Sequence, residues 1–461
     1  MIINDSAFTT EIERSQDKND PAFIREILAK ARELHGIAHA EALALLQVTN
    51  PELLHELFET ARFVKNEIYG NRLVLFAPLY ISNLCGNECL YCAFRRSNRD
   101  IVRKALSQEE IARETEVLLK QGHKRVLLVA GEAYPKEGLE YVFRSIETVY
   151  SVSTPRASVR RVNVNIAPLT VDEFRELGKH RIGTYQLFQE TYHRETYAKL
   201  HTGGLKSNYD YRLEAMDRAF QGGLKDLGIG LLFGLYDWRY EILALLQHIA
   251  HLEKNFGVGP HTISAPRLEP AVGSDISTHP PYPVADDDFR KIIAVLRIAV
   301  PYTGIILSTR ESAAMRRDAF ELGVSQISAG SRTNPGGYTE TVHETGEQFS
   351  LGDTRPLMEV IKDLVDHEHI PSFCTGCYRL GRVGKDFMDM AKPGLIKQHC
   401  LPNAMFTFAE YLHDFADAKL KKNGFGLIER MLQKEITSDK LRSVTRKNLD
   451  SIANGERDLY L

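Results

Sequence analysis

The six cysteines of this chain fall into two triplets, Cys85, Cys89 and Cys92, then Cys374, Cys377 and Cys400. Thiols scattered through a core do not gather in this way. In a reducing compartment such sets suggest ligation of a soft metal centre rather than disulfides. The first set is compact, Cys85-Gly86-Asn87-Glu88-Cys89-Leu90-Tyr91-Cys92, with no fourth cysteine near it. A 4Fe–4S cluster normally takes four thiolates, so three leave one iron open to another ligand. The alternative is a zinc ion completed by a distant histidine. The second set, Cys374-Thr375-Gly376-Cys377 with Cys400 after 22 intervening residues, again offers three thiolates. A second open cluster is the natural reading, with structural zinc as its alternative because C-x2-C pairs are common zinc ligands.

The elements that must position these residues change character along the chain. Up to about residue 71, stretches such as FIREILAKARELHG and PELLHELFETARFVKNEIYG space apolar residues at three and four and predict a helical cap. From Arg72, short apolar strands alternate with amphipathic helices, the pattern of a parallel barrel. Eight strands are expected: RLVLFAPLYI, RVLLVAGE, RRVNVNIAP, GTYQLFQE, LGIGLLFG, HTISAPRLEP, GIILSTR and SQISAGS. Among the helices between them are SQEEIARETEVLLKQG, opened by a Ser107/Glu110 capping box and closed at Gly122, and YDYRLEAMDRAFQGG. The fold class is α/β, a (β/α)8 TIM-type barrel over 72–336, with an N-terminal helical region over 1–71. A C-terminal helical domain over 337–461 carries the second triplet and begins with a polar crossing segment, TETVHETGEQFSLGDTRP.

Composition narrows the function classes. Apolar residues make up 43% of the 461, enough for a large core, and the net charge of -3 is spread without long blocks of one sign. This gives no electrostatic footprint for nucleic acid or an anionic membrane surface. Without a signal-peptide pattern or a run of about 18 apolar residues, a soluble cytoplasmic protein acting on a small molecule or another protein is expected. His248 and His251 read as surface or packing residues.

The C-x3-C-x2-C motif, placed directly after the first strand, resembles that of the radical S-adenosylmethionine (SAM) superfamily. That resemblance implies SAM on the open iron of a 4Fe–4S cluster, cleaved on reduction to a 5'-deoxyadenosyl radical. It also implies SAM-binding residues at later strand ends: Glu132 in the Gly131-Glu132 pair, Asn165, Gln189 and Glu190, Arg212 on the next helix, and Phe94 flanking adenine. Each of these is otherwise a barrel ion pair or a core aromatic.

With both triplets present, the chain resembles the HydG branch of the ThiH/HydG-like family of tyrosine lyases, the branch that serves FeFe-hydrogenase maturation. The likeness runs through GNRLVLFAPLYISN, FQETYH, GLYDWRYE, GVGPHTISAPRLEPA, CTGCYRLGR, FMDMAKPG and CLPNA; Gly376 and Val383 depart from the expected alanine and threonine. It implies cleavage of L-tyrosine to p-cresol and dehydroglycine, with CO and cyanide then formed on an auxiliary cluster held by Cys374, Cys377 and Cys400. An extra, fifth iron with a cysteine would leave as an iron carbonyl cyanide synthon for the hydrogenase H-cluster, other maturation proteins being the partners. His261, just before a strand, is then a candidate ligand of the extra iron, or a barrel-floor histidine. Arg310 becomes the cation for the substrate carboxylate, with Ser308 and Ser328 adding hydroxyls and Tyr80 touching the amine. The rivals are a ThiH-like lyase supplying dehydroglycine alone and an iron–sulfur scaffold without catalysis.

Overall fold

The structure, a computed structural model, describes residues 2–4, 8, 10–12, 20–340, 346–392 and 395–461. Residues 341–345 of the crossing segment, Pro393-Gly394 of FMDMAKPG and parts of the first nineteen residues lie outside the described residues. Eight parallel strands follow one another around a closed barrel: β1 (Arg72–Ser82), β2 (Arg125–Ala130), β3 (Arg161–Asn165), β4 (Tyr185–Glu190), β5 (Leu227–Leu231), β6 (Thr262–Ser264), β7 (Gly304–Leu307) and β8 (Gln326–Ser328). Closure comes from β8 returning to β1, where Val74 pairs with Gln326 and Phe76 with Ser328. All eight fall on the expected apolar runs. A strand walled by helices on one side and a filled interior on the other needs no polar alternation, and all 11 residues of β1 are buried.

The connecting helices follow their end signals. Gln108–Gln121 starts at Ser107, whose Oγ accepts from the Glu110 N–H while the Glu110 carboxylate accepts from the Ser107 N–H, and it stops at Gly122 with φ 100°. The single helix expected over YDYRLEAMDRAFQGG is two, Tyr209–Leu213 and Ala215–Gln221, joined at Glu214. The first carries Arg212 toward the barrel interior, and the second packs on Val171–Lys179. The N-terminal helices Pro21–Ala31, His39–Leu46 and Pro51–Ile68 lie on the flank of the barrel, against Trp238–Phe256, Asp286–Ala299 and Ala313–Leu322.

The C-terminal region is mostly helical, with one addition that helical periodicity does not announce. Ile370–Ser372 forms β9, which pairs in parallel with Arg72–Val74 and extends the sheet at the lower end of β1. Pro371 is tolerated because β9 is an edge strand. The buried helix Ile396–Asp414 packs on β9 and on Ala418–Glu435 and Asp439–Ala453. Its Glu410 ion-pairs with Lys124 and, at 2.8 Å, with Arg160, fastening this region to the start of β2 and the approach to β3. Among the described residues, no helix is long and apolar enough to cross a membrane.

Candidate active site

At the C-terminal end of the barrel strands, the loop after β1 brings Cys85, Cys89 and Cys92 to one wall of a cavity. The loop is pinned from outside: Glu88 N–H donates to Gly203 O at 2.9 Å, and Leu90 N–H to Leu200 O at 3.0 Å. Gly204 lies so close, with φ 80°, that a Cβ there would collide with Asn87 and the Gly86 carbonyl. A buried polar cluster faces the thiols. The Glu132 carboxylate accepts from Asn87 Nδ2 at 2.7 Å and Arg212 Nη1 at 2.9 Å, and Glu190 pairs with Lys206 Nζ at 2.6 Å. Burial alone would raise the Glu132 pKa, but Arg212 and Lys206 hold it below the usual carboxylate range. Phe94 and Asn165 line the same cavity. Gln189 does not: Gln186, Phe188 and Glu190 face inward from β4, and strand alternation turns Gln189 to the opposite side.

The other half of the cavity is formed by Arg310, Ser308, Ser328 and Tyr80. The Arg310 guanidinium makes no ion pair among the described residues. It stacks on the Phe349 ring at 3.3 Å, and burial lowers its pKa against the pull of Tyr80, Glu190 and Glu269. The Tyr80 hydroxyl donates to Gln348 Oε1 at 2.7 Å, and Ser328 Oγ accepts from the Thr309 N–H at 3.2 Å.

A second cavity opens at the N-terminal end of the same strands. Cys374, Cys377, Cys400 and His261 line it together with Arg72, Arg125, Tyr378 and Phe387. Cys374 Sγ accepts from the Gly376 N–H at 3.3 Å. A hydrogen bond from Cys377, with Arg72 and Arg382 nearby, draws the Cys400 thiol below the usual thiol range in spite of its burial. His261 Nδ1 lies 3.7 Å from the buried Asp226 carboxylate, and its ring packs 4.3 Å from Phe387. Val74 lines this lower cavity and Phe76 the upper one, about 7 Å apart along β1.

Comparison with known proteins agrees with this layout. The radical SAM superfamily matches residues 79–248, and the Biotin and Thiamin Synthesis associated domain matches 264–369. A 2-iminoacetate synthase from Salmonella typhimurium is 33% identical over 320 residues, 69% of this chain and 82% of that protein. Its Escherichia coli counterpart is 34% identical over 327 residues, 71% and 84% of the two chains. A crystal structure of HydG, a maturase of the [FeFe]-hydrogenase, superposes with TM-score 0.95 at 49% identity and covers 100% of both chains. The HydG structure from Carboxydothermus hydrogenoformans gives 0.83 at 41%, covering 97% of this chain and 100% of that one. The chain belongs to the ThiH/HydG-like family of radical SAM enzymes.

Membership implies SAM and a 4Fe–4S cluster, and the upper site of this ThiH/HydG-like enzyme fits both. Three thiols share one cavity wall, and the Phe94 N–H donates to Cys92 Sγ at 3.4 Å. Burial raises all three thiols, and Lys206 supplies the positive charge that opposes this at Cys89 and Cys92. Among the described residues no three His, Cys, Asp or Glu side chains converge on one ion. Asn87, Lys206, Gln348 and Phe349 escaped the sequence reading. Asn87 sits inside the cysteine motif and Lys206 follows Gly203-Gly204, so each had a local signal; Gln348 and Phe349 reach the cavity from the crossing segment and had none.

Proposed function

We propose that this enzyme cleaves the Cα–Cβ bond of L-tyrosine, giving p-cresol and dehydroglycine, and that CO and cyanide arise at the lower site for assembly of the FeFe-hydrogenase cofactor. The observation that carries the reading is Arg310: a half-buried guanidinium without an ion pair among the described residues, sharing a cavity with the first cysteine triplet. A fork of this kind, aimed into a cavity, suits the carboxylate of an amino acid. Likeness to a 2-iminoacetate synthase and to HydG places the chain in the family whose resemblance implies tyrosine as that amino acid.

When bound, SAM and the reduced cluster supply a carbon-centred radical that removes a hydrogen atom from the substrate. The chain's own part is to hold and shield. Glu132, backed by Arg212 and Asn87, takes the SAM amino group, with Phe94 beside the adenine and Asn165 and Glu190 on the remaining polar edge. Arg310 fixes the substrate carboxylate, Ser308 and Ser328 offer hydroxyls, and Tyr80 faces the amine. At the lower site Cys374, Cys377 and Cys400 hold the auxiliary cluster, and His261 is the candidate ligand for its extra iron, with a bound cysteine completing it. Other hydrogenase maturation proteins as partners, and residence in the cytoplasm, belong to the same reading.

The test is an anaerobic assay of iron-reconstituted, reduced protein with SAM and tyrosine, measuring p-cresol, cyanide and CO together. All three products are expected. p-Cresol without CO would instead favour a lyase supplying dehydroglycine alone, and no p-cresol would sink the substrate assignment. Cys400→Ser should keep p-cresol formation and lose CO.

A further inference from the structure

The crossing segment supplies a wall of the upper site. Gly346–Gly352 passes over the C-terminal mouth of the barrel and is held at several points. Gln348 N–H donates to Thr333 O at 3.0 Å, Ser350 N–H to Pro270 O at 2.8 Å, and Gly352 N–H to Thr309 O at 3.0 Å. Thr333 Oγ1 donates to Phe349 O at 3.2 Å, and the Phe349 ring stacks on Arg310. From this fixed segment the half-buried Gln348 side chain reaches two groups of different kinds. Its Nε2 donates to Cys92 Sγ at 3.8 Å, and its Oε1 accepts from the Tyr80 hydroxyl at 2.7 Å.

We propose that Gln348 is a positioning residue that joins the first cluster to the substrate pocket, its amide nitrogen bonded to a cluster thiolate and its amide oxygen fixing Tyr80. An N–H donated to a cluster sulfur stabilises the more negative, reduced state and raises its potential. Holding the Tyr80 hydroxyl sets the direction in which that group meets a substrate. One planar amide makes both bonds, its nitrogen the one to sulfur and its oxygen the one to Tyr80, so each can be removed without the other. The cluster half rests on Cys85, Cys89 and Cys92 as ligands; the substrate half rests on the tyrosine reading above.

The experiment is an EPR-monitored redox titration of the reconstituted full-length protein, following the signal that shifts when SAM is added, together with tyrosine kinetics. Gln348→Leu removes both bonds. It should lower the midpoint potential, reducing the reduced-to-oxidised ratio at a fixed poise roughly threefold to tenfold, and raise KM for tyrosine by a similar factor. Gln348→Glu keeps an acceptor for Tyr80 but no donor for sulfur, so the potential should fall with KM little changed. Tyr80→Phe should raise KM and leave the potential alone. An unchanged potential in both Gln348 variants, with the cluster loaded as in the wild type, would overturn the proposal, as would a Tyr80→Phe potential that moves with theirs. A wild-type protein that cleaves SAM without consuming tyrosine would count against the tyrosine reading, while the potentials would still decide the role of Gln348.

Discussion

Arg310 sits in a buried cavity with an aromatic ring for a neighbour and no carboxylate paired to it among the described residues. If it binds the substrate carboxylate, Arg310→Ala should lower kcat/KM for tyrosine roughly a hundredfold or more, and Arg310→Lys should recover only part of this because an ammonium cannot match the two-pronged geometry. SAM cleavage in the absence of tyrosine should be little altered in either variant. At the lower site, Asp226→Asn should weaken retention of an extra iron if His261 ligates it, since the buried negative charge 3.7 Å from Nδ1 is then lost; iron counting before and after mild chelation reads this directly. Side chains at strand ends were legible because a barrel aims them at a known face, and Glu132, Asn165, Arg310 and Ser328 lie there. Gln189 was misjudged by one residue of alternation, and Gln348 could not be anticipated because its segment is distant in sequence and lacks a periodic pattern.

At the scale of elements, β1 to β8 were legible because turns bound short segments of strand character: β1, β2 and β7 are nearly continuous apolar runs, whereas β3 (RVNVN) and β4 (YQLFQE) carry polar residues between apolar ones. β9 was not: three residues with a proline have no period to detect. Helix packing around this sheet also predicts how stability follows pH. His123, between Gln108–Gln121 and β2, packs edge-on to Phe373, and His248 of Trp238–Phe256 bonds the Tyr192 hydroxyl; burial lowers each from 6.5 to about 3. Between those values the unfolded chain binds a proton that the native state refuses. Stability should therefore fall as pH drops from about 6.5 toward 3, at about 1.4 kcal/mol per pH unit for each histidine. Urea titrations at pH 7.5 and 5.5 should show the loss, and a folded His123→Leu variant should show a smaller one; equal slopes would refute the assignment.

Across the whole molecule, one barrel serves two cysteine sets at opposite ends, and the C-terminal helices hold the lower one through a few buried contacts. Lys124, Arg160 and Glu410 form a buried charged group between the barrel and Ile396–Asp414. Glu410→Ala strands the buried Lys124, while Arg160 keeps its pair with Asp458 at 2.9 Å, and should cost roughly 3–5 kcal/mol, read as a lowered denaturation midpoint. Loss of iron from the second cysteine set before the first would follow from the same loosening. The position of β9 also orders events in time. Every barrel strand has been synthesised by Ser328, whereas β9 begins at Ile370 and Cys400 comes seventy-two residues after Ser328. At the pace of translation that interval is roughly 4 to 14 s. For those seconds the nascent chain has the strands that wall its upper pocket, with Gln348 and Phe349 arriving on the way, but an unfinished floor, so the barrel is open underneath at the stage when its first cysteines are already in place.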